Sequence, residues 1–506
     1  MNSGPHNPKW FGVMNLRSLT GLTAVTAQTR RVFSRSLLKA WPLGLAVMLA
    51  ACATPPPALP TADVPDSWQG PIAESSGVWP ALDWWQAFNQ PELVSYMGLV
   101  RTDNLDLANN RRQLAIARLT LSDADWNLWP TPHVDVGYGS QYRDVRGDGV
   151  NDRQGSDSAQ FGLGLQYTDI LKKPGQNRLA HAQYESTLAQ SVDTALDAYR
   201  IAASTYFQLL FIRDQIRTSG ENLRSAEYLL SIIQVRVDNG TITELDALQQ
   251  KLEVEKQRTD LRNLHQRELA ARAALALLVG KRLYEFEVHE ETLVDIAVPT
   301  VQPGIPSELL LRRPDLVQAE ADLRSANANL ELARLAYLPT ISLTAEGLAS
   351  SQSLASLLES PTKTLTASAT AAQLLLDNGA RNRSNKQAQL RLEMGLDHYR
   401  KAVLSAMNDV EISLNNIALL DAQGKVASED RVRAEEAFRI ASVRYEQGAV
   451  DYQTLLNTQT NLYNTRDNYL QNKLDRLNAM LDFYVSLGGG WQKDNAEATS
   501  EILANR

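Results

Sequence analysis

The chain has 506 residues, of which 44% are hydrophobic and 21% charged, with a formal net charge of -8. These values exclude a mostly disordered chain and a multi-pass helical membrane protein, and they leave no basic footprint for nucleic-acid binding. A single cysteine, Cys52, cannot form an internal disulfide, so stability outside the cytosol must come from packing. Aromatics are only 7%, and the abundance of Ala, Leu, Gln and Asn suits long, tightly packed helices.

Arg30, Arg31, Arg35 and Lys39 precede a short apolar run from Trp41 to Ala51. Basic residues followed by a run too short to span a bilayer describe a secretory signal over residues 1–51. The run ends Leu49-Ala50-Ala51-Cys52, which resembles a bacterial lipobox and implies cleavage before Cys52 and its acylation; the alternative is a chance Cys beside a signal. Ala53 and Thr54 follow, with no Asp to retain the chain at the inner membrane, so an outer-membrane destination is expected. Thr29-Arg30-Arg31-Val32-Phe33 resembles a twin-arginine signal, and the long leader is compatible with a start at Met14. Residues 52–80 read as lipid anchor and extended linker, Pro-rich from Thr54 to Pro65.

The remainder reads as a tandem repeat, residues 81–298 and 299–491, with a tail over 492–506. Val235-Arg236-Val237-Asp238-Asn239-Gly240 recurs as Val443-Arg444-Tyr445-Glu446-Gln447-Gly448, with Arg and Gly both 208 positions downstream (444 − 236 and 448 − 240). Leu128-Trp129-Pro130 matches Tyr337-Leu338-Pro339, and Gly175-Gln176-Asn177-Arg178 echoes Gly379-Ala380-Arg381-Asn382. Each half reads helix, Pro, two strands, Gly turn, long helix, Gly turn, helix.

In the first half, residues 132–169 hold the strands. Val134, Val136 and Tyr138 alternate with His133, Asp135, Gly137 and Gly139, and Phe161, Leu163, Leu165 and Tyr167 alternate with Gln160, Gly162, Gly164 and Gln166. The polar stretch Arg143 to Gly149 reads as the loop between them. A helical hairpin is expected over 178–280. Leu179 to Val237 contains no Pro and one Gly, Gly220, and would extend about 90 Å as a helix. Ile201, Tyr206, Leu209, Leu210, Ile216, Leu223, Leu230 and Val237 supply a near-heptad stripe, and Glu244 to Leu278 is its partner.

In the second half, strands are expected over 339–376. Ile341, Leu343 and Ala345 face away from Thr340, Ser342, Thr344 and Glu346, while Leu365, Ala367, Ala369 and Ala371 alternate with Thr364, Thr366, Ser368 and Thr370. The hairpin over 381–487 pairs Arg383–Arg444 with Tyr452–Leu487. Such alternation suits transmembrane strands, and it also suits a half-buried soluble sheet. If the strands lie in lipid, four per chain cannot close a barrel, because open edges leave backbone groups unsatisfied. A cyclic trimer would pool them into one wall of about twelve strands and gather the helices into a tube. The helices alone are also compatible with a soluble coiled-coil scaffold, which leaves the strands unexplained.

Against this background the chain resembles the outer-membrane efflux protein family, in particular its TolC-like and NodT-like lipoprotein branch, over roughly residues 84–491. The resemblance rests on Trp84-Trp85-Gln86-Ala87-Phe88, Asn104-Leu105-Asp106-Leu107, Gly304 through Leu316 with its Arg312-Arg313-Pro314-Asp315 core, Ala319-Glu320, Ala326-Asn327-Ala328, and Leu487-Gly488-Gly489-Gly490-Trp491. It implies a mixed α and β membrane protein: a homotrimer with a shared β-barrel, a periplasmic α-helical barrel and a small equatorial domain. It further implies the passive exit duct of a tripartite pump in the outer membrane, working with a periplasmic adaptor and an inner-membrane transporter. The alternative is a periplasmic coiled-coil scaffold lipoprotein without a pore.

By the same resemblance, Arg236, Gly240, Arg444 and Gly448 lie at the adaptor-facing tip, although these glycines are also adequate as plain helix terminators. Relatives often carry an Asp where this chain has Asn457, so an acidic ring at the periplasmic entrance would fall to Asp451 or Glu446. Arg312 and Arg313 are expected in structural ion pairs, with Pro314 opening a helix and Asp315 in its first turn. The six histidines, His6, His133, His181, His265, His289 and His398, form no ligand pair at helical spacing, and no nucleophile-elbow, P-loop or dinucleotide pattern appears in its needed context. No enzyme activity and no cofactor are expected.

Overall fold

The computed structural model describes Trp68 and residues 79–147, 150–290, 292–300 and 306–493, with the backbone alone for 143–147 and 150–154. The signal segment, Cys52, most of the linker, Gly304, Ile305 and the tail beyond residue 493 lie outside the described residues.

A short 3-10 turn, Trp84–Phe88, ends on Asn89 in the left-handed region and leads into α1 (Pro91–Asp103) and α2 (Leu105–Trp126). Asn104 separates the two helices: its Oδ1 accepts from the Leu107 amide at 2.8 Å, and its Nδ2 donates to the Leu278 carbonyl at 2.8 Å. Strands β1 (Thr131–Gly147) and β2 (Val150–Tyr167) follow, then the 66-residue α3 (Lys173–Asp238) and its partner α4 (Glu244–Leu278). The second half runs from α5 (Pro314–Leu335) through β3 (Thr340–Ser351), the short α6 (Leu354–Glu359) and β4 (Thr362–Ala372). It ends with the 67-residue α7 (Ala380–Glu446) and α8 (Tyr452–Ser486). At about 1.5 Å per residue, α3 and α7 each extend roughly 100 Å.

The strands form one antiparallel sheet in the order β1-β2-β3-β4. The stretch expected as a loop from Arg143 is instead strand as far as Gly147, with Arg143 opposite Gln154 and Asp144 opposite Arg153. Backbone pairing needs no apolar side chain, so the ladder continues past the point where hydrophobic alternation stops. The β3–β4 hairpin is shorter and carries α6 at its end.

Helix ends explain the glycines. At Gly240, Gly280, Gly448 and Gly488 the backbone has positive φ, and each closes a helix with the paired bonds of a Schellman motif. Gly240 N–H donates to Val237 O at 2.8 Å and Thr241 N–H to Arg236 O at 2.9 Å, while Gly448 and Ala449 repeat this on Tyr445 and Arg444 at 3.0 and 2.8 Å. Gly175 departs from expectation: it lies inside the first turns of α3, because Pro174 opens the helix there, and its bare Cα lets Leu332 of α5 pack close. The chain reversal before α3 passes through Asp169 at positive φ, and that before α7 through Asn378 and Gly379.

The largest core sits where α1, α3 and α8 meet. Trp84 stacks on Tyr484, Trp85 packs on Tyr199 and Phe88 on Phe207, with ring centroids 5.1 to 5.6 Å apart. Leu93, Met97, Leu210, Leu477 and Phe483 complete it, and each such side chain contributes about 1.5–3 kcal/mol on burial. Of the expected stripe on α3, Tyr206, Leu209 and Leu210 are buried, but Ile201 is exposed, because five residues at about 3.6 per turn set it about 140° around the helix from Tyr206.

Candidate functional site

The sheet presents an apolar face to solvent. Val134, Val136 and Tyr138 of β1 pair with Leu163, Phe161 and Ala159 of β2, and Leu163 and Leu165 pair in turn with Gly347 and Ala345 of β3. Val136 is 79% and Leu365 87% exposed. The opposite face carries His133, Asp135, Gln160, Glu346 and the Thr and Ser residues of β4. Gly162 and Gly164 lie beneath the longer polar side chains: a Cβ on Gly164 would fall 2.5 Å from the His133 ring. His133 Nε2 in turn approaches Asp135 Oδ2 at 3.1 Å. Among the described residues, both outer strands, β1 and β4, leave one edge without a partner.

At the far end of the helices the two hairpins join. Arg236 Nη2 donates to the Glu446 carbonyl at 2.5 Å, and its guanidinium lies over the Tyr445 ring at 4.6 Å. Tyr452 Oη donates to Gln250 Oε1 at 2.8 Å, and Gln250 Nε2 donates to Ala226 O at 2.9 Å, tying α8 to α4 and α4 to α3. Sequence treated Arg236 and Arg444 as equivalents; Arg236 binds the other hairpin, whereas Arg444 is exposed. Asp451 is the N-cap of α8, accepting from the Thr454 amide at 2.8 Å, and bonds from Thr454 hold its carboxyl below the usual range. Asn457 is exposed one turn further on and accepts from Gln453 Nε2 at 3.0 Å.

Residues 312–315 lie at the other end of α8. Pro314 occupies the first turn of α5. Arg313 pairs with Asp315 at 2.7 Å and, across to α7, with Asp409 at 3.0 Å, and also donates to Ser486 O at 3.2 Å. Burial opposes its charge, but the two carboxylates outweigh that and hold its pKa above the ordinary value. Arg312 pairs with Glu308 at 3.6 Å and lies over the Trp79 ring at 4.6 Å.

Two carboxylates that the sequence did not single out fasten the connection between the halves. Glu92 accepts from the amides of His289 and Glu290 at 2.7 and 2.8 Å and from Tyr206 Oη at 3.2 Å. Burial pushes its carboxyl up, yet those hydrogen bonds outweigh burial and leave it lowered. Asp214, fully buried, accepts from the Leu293 amide at 2.8 Å and from Thr292 Oγ1 at 3.0 Å. No signal local to residues 92 or 214 marks these contacts. A signal was available for Gly280 and Gly488, which stand 208 positions apart (488 − 280), the same offset as Gly240 and Gly448.

Among the described residues no cluster of His, Cys, Asp and Glu could hold a metal, and no helix is long and apolar enough to cross a membrane. An open sheet with one apolar exposed face, continuous with two helices of about 100 Å that each pair with a shorter one, is the fold of outer-membrane channel subunits. The outer membrane efflux protein family model matches residues 97–281 and 305–489, and the chain belongs to that family. It is 32% identical over 464 residues to the pyoverdine export outer membrane protein OpmQ of Pseudomonas putida, covering 90% of this chain and 97% of that one. It is 27% identical over 471 residues to the cation efflux system protein CusC of Escherichia coli, covering 90% and 99%. The Campylobacter jejuni CmeC outer membrane channel superposes with a TM-score of 0.81 at 19% identity, covering 90% of this chain and 98% of that one.

Proposed function

We propose that the protein is the exit duct of a tripartite efflux system: a homotrimer anchored in the outer membrane through acylated Cys52, passing small molecules outward without chemistry of its own. One observation carries the reading: a four-stranded sheet with an exposed apolar face and, among the described residues, two unpaired edges, joined directly to paired long helices. Because four is even, β1 and β4 run in opposite directions, so a rotation that sets β4 of one copy beside β1 of the next keeps every pair antiparallel. Closure removes the edges that hydrocarbon cannot tolerate. The helices support the same assembly. Leu404, Ile412, Leu419 and Val426 form an exposed stripe on α7, and a stripe left bare by its own hairpin fits a neighbouring copy.

On this reading, residues 81–298 and 299–491 are duplicated units and the hairpin tips face a periplasmic adaptor that leads to an inner-membrane transporter. Arg444 and the Gly448 turn are exposed toward that partner, while Arg236 braces the tip from within. Asp451, with Asn457 beside it, stands at the periplasmic entrance. The relatives' names, pyoverdine export and cation efflux, support export as the role and leave the cargo to the pump. Reconstitution of full-length protein in planar bilayers tests this reading: stepwise ion conductance with heat-modifiable trimers on mild gels is the expected result. Trimers that never conduct would make it a scaffold, and a monomer without membrane-embedded sheet would end the proposal. Mass spectrometry of the mature N-terminus should find diacylglycerol on Cys52, and a free thiol there would remove the anchor.

A further inference from the structure

Barrel closure leaves two apolar features unexplained, both at the helix-side end of the sheet. Immediately after β4, Leu374, Leu375 and Leu376 are 67%, 82% and 89% exposed; immediately before β1, Trp126 and Trp129 are 73% and 68% exposed, with Leu128 between them. Both features are tied down by hydrogen bonds. Gln373 Nε2 donates to the Tyr337 carbonyl at 2.8 Å, and Arg381 Nη2 donates to the Leu374 carbonyl at 2.7 Å. Asp377 receives Arg381 Nε at 2.6 Å and the amides of Gly379 and Arg381 at 3.0 Å each. On the other edge, Trp129 N–H donates to Trp126 O at 3.0 Å, and Asn177 Nδ2 ties Asp125 to α3 at 2.6 Å.

The two features flank opposite edges of one sheet. Thr131 of β1 lies level with Gln166, which pairs with Thr344, which pairs with Ser368, four residues before the end of β4 at Ala372 (372 − 368). A stagger of this kind is what strand tilt levels in a closed barrel. Pairing β4 with β1 of a second copy therefore brings the leucine run beside the tryptophan turn of that copy. Three consecutive leucines point in different directions, so a flat lipid surface would cover only part of the run, whereas a crevice between two chains covers all of it.

We propose that Leu374–Leu376 of each copy seats against Trp126, Leu128 and Trp129 of the next, forming an apolar gasket at each seam where strand pairing has ended and helix packing has not begun. The proposal rests on the trimeric reading above. Its occupant is a second copy of this chain, and its effect is to keep the wall tight at the joint between sheet and helices.

Disulfide trapping in native membranes tests it. The pair Leu375→Cys with Trp129→Cys should give oxidant-dependent dimer and trimer bands containing most of the chains, and neither single variant should do so. A nitroxide on Leu375→Cys should be shielded from both oxygen and a water-soluble nickel reagent. Heat-modifiable trimers with no trapping between any of positions 374–376 and any of 126, 128 and 129, and a label freely reached by oxygen, would place the leucines in lipid. That result would overturn the gasket while leaving the duct intact. Wild-type protein that stayed monomeric would overturn both.

Discussion

At the hairpin tips, Gly240 and Gly448 take positive φ with no atom within 4 Å of where a Cβ would stand. At the opposite ends of the same hairpins, a Cβ on Gly280 would lie 2.9 Å from Asp103 O, and one on Gly488 would lie 2.0 Å from Arg312 O. The backbone geometry is shared, but the surroundings differ. The tips are turns that only need to turn, free to present a surface. The other ends are turns against which a second chain segment is already pressed, so backbone conformation and packing are fixed together. Gly490 extends this crowding, since its Cβ would fall 2.3 Å from the Ala81 carbonyl carbon. A motif read from sequence as a helix terminator thus has one duty at one end and two at the other.

The contrast breaks first at Gly488. Gly488→Ala should cost about 4 kcal/mol or more, because the Arg312 carbonyl cannot retreat without moving the start of α5; thermal unfolding should show it as a large drop in Tm or as failure to assemble. Next, Arg313→Met should cost about 2 kcal/mol, less than a fully buried pair, since Asp315 and Asp409 keep 35% and 45% of their side-chain exposure. A double-mutant cycle with Asp409→Asn should recover part of that loss, and strict additivity would remove the pair from the account. Gly448→Ala and Gly240→Ala should each cost only about 1 kcal/mol, the left-handed backbone strain alone. Equal losses at 448 and 488 would erase the distinction between the two ends.

Acid sharpens the comparison further. Glu92 has a lowered folded-state pKa, so its contribution is present above the ordinary carboxylate value of 4.5 and is lost as pH falls through the depressed value. Hydrogen exchange at the His289 and Glu290 amides should therefore accelerate in strong acid, and Glu92→Gln should blunt that dependence. The smallest effect is expected at Asp451. Asp451→Asn preserves the cap on α8, so melting should not move and any change in single-channel cation selectivity would report the charge alone; unchanged selectivity would remove Asp451 from the entrance.

Much of the architecture was legible because it obeys short-range rules. Helices of this length announce themselves by long stretches without Pro and with few Gly, and Pro130 and Pro339 punctuate the approach to the sheet. Alternation marked Phe161 to Tyr167 as strand, but it stopped marking β1 at Arg143, where pairing continued without hydrophobicity. Gly175 reads as a turn from sequence only because its segment echoes Gly379-Ala380-Arg381-Asn382, and such an echo carries no information about φ. The contacts of Glu92, Asp214, Asp409 and Gln250 were illegible for a different reason: each joins residues from separate elements, and neither partner's own neighbourhood hints at the other. The offset of 208 was the exception, a long-range regularity printed in the sequence, and followed one step further it would have found Gly280 and Gly488.

The bare outer strands also bear on how the protein is made. A barrel closed within one chain can enter the bilayer as a single molecule, at a rate proportional to the amount of chain present. On the proposed trimeric reading, each newly delivered copy would hold only a third of a wall, and insertion would wait for collisions with its siblings. Its yield should therefore rise more steeply than expression level, and chains caught between delivery and encounter are the ones that proteases and holding chaperones will meet.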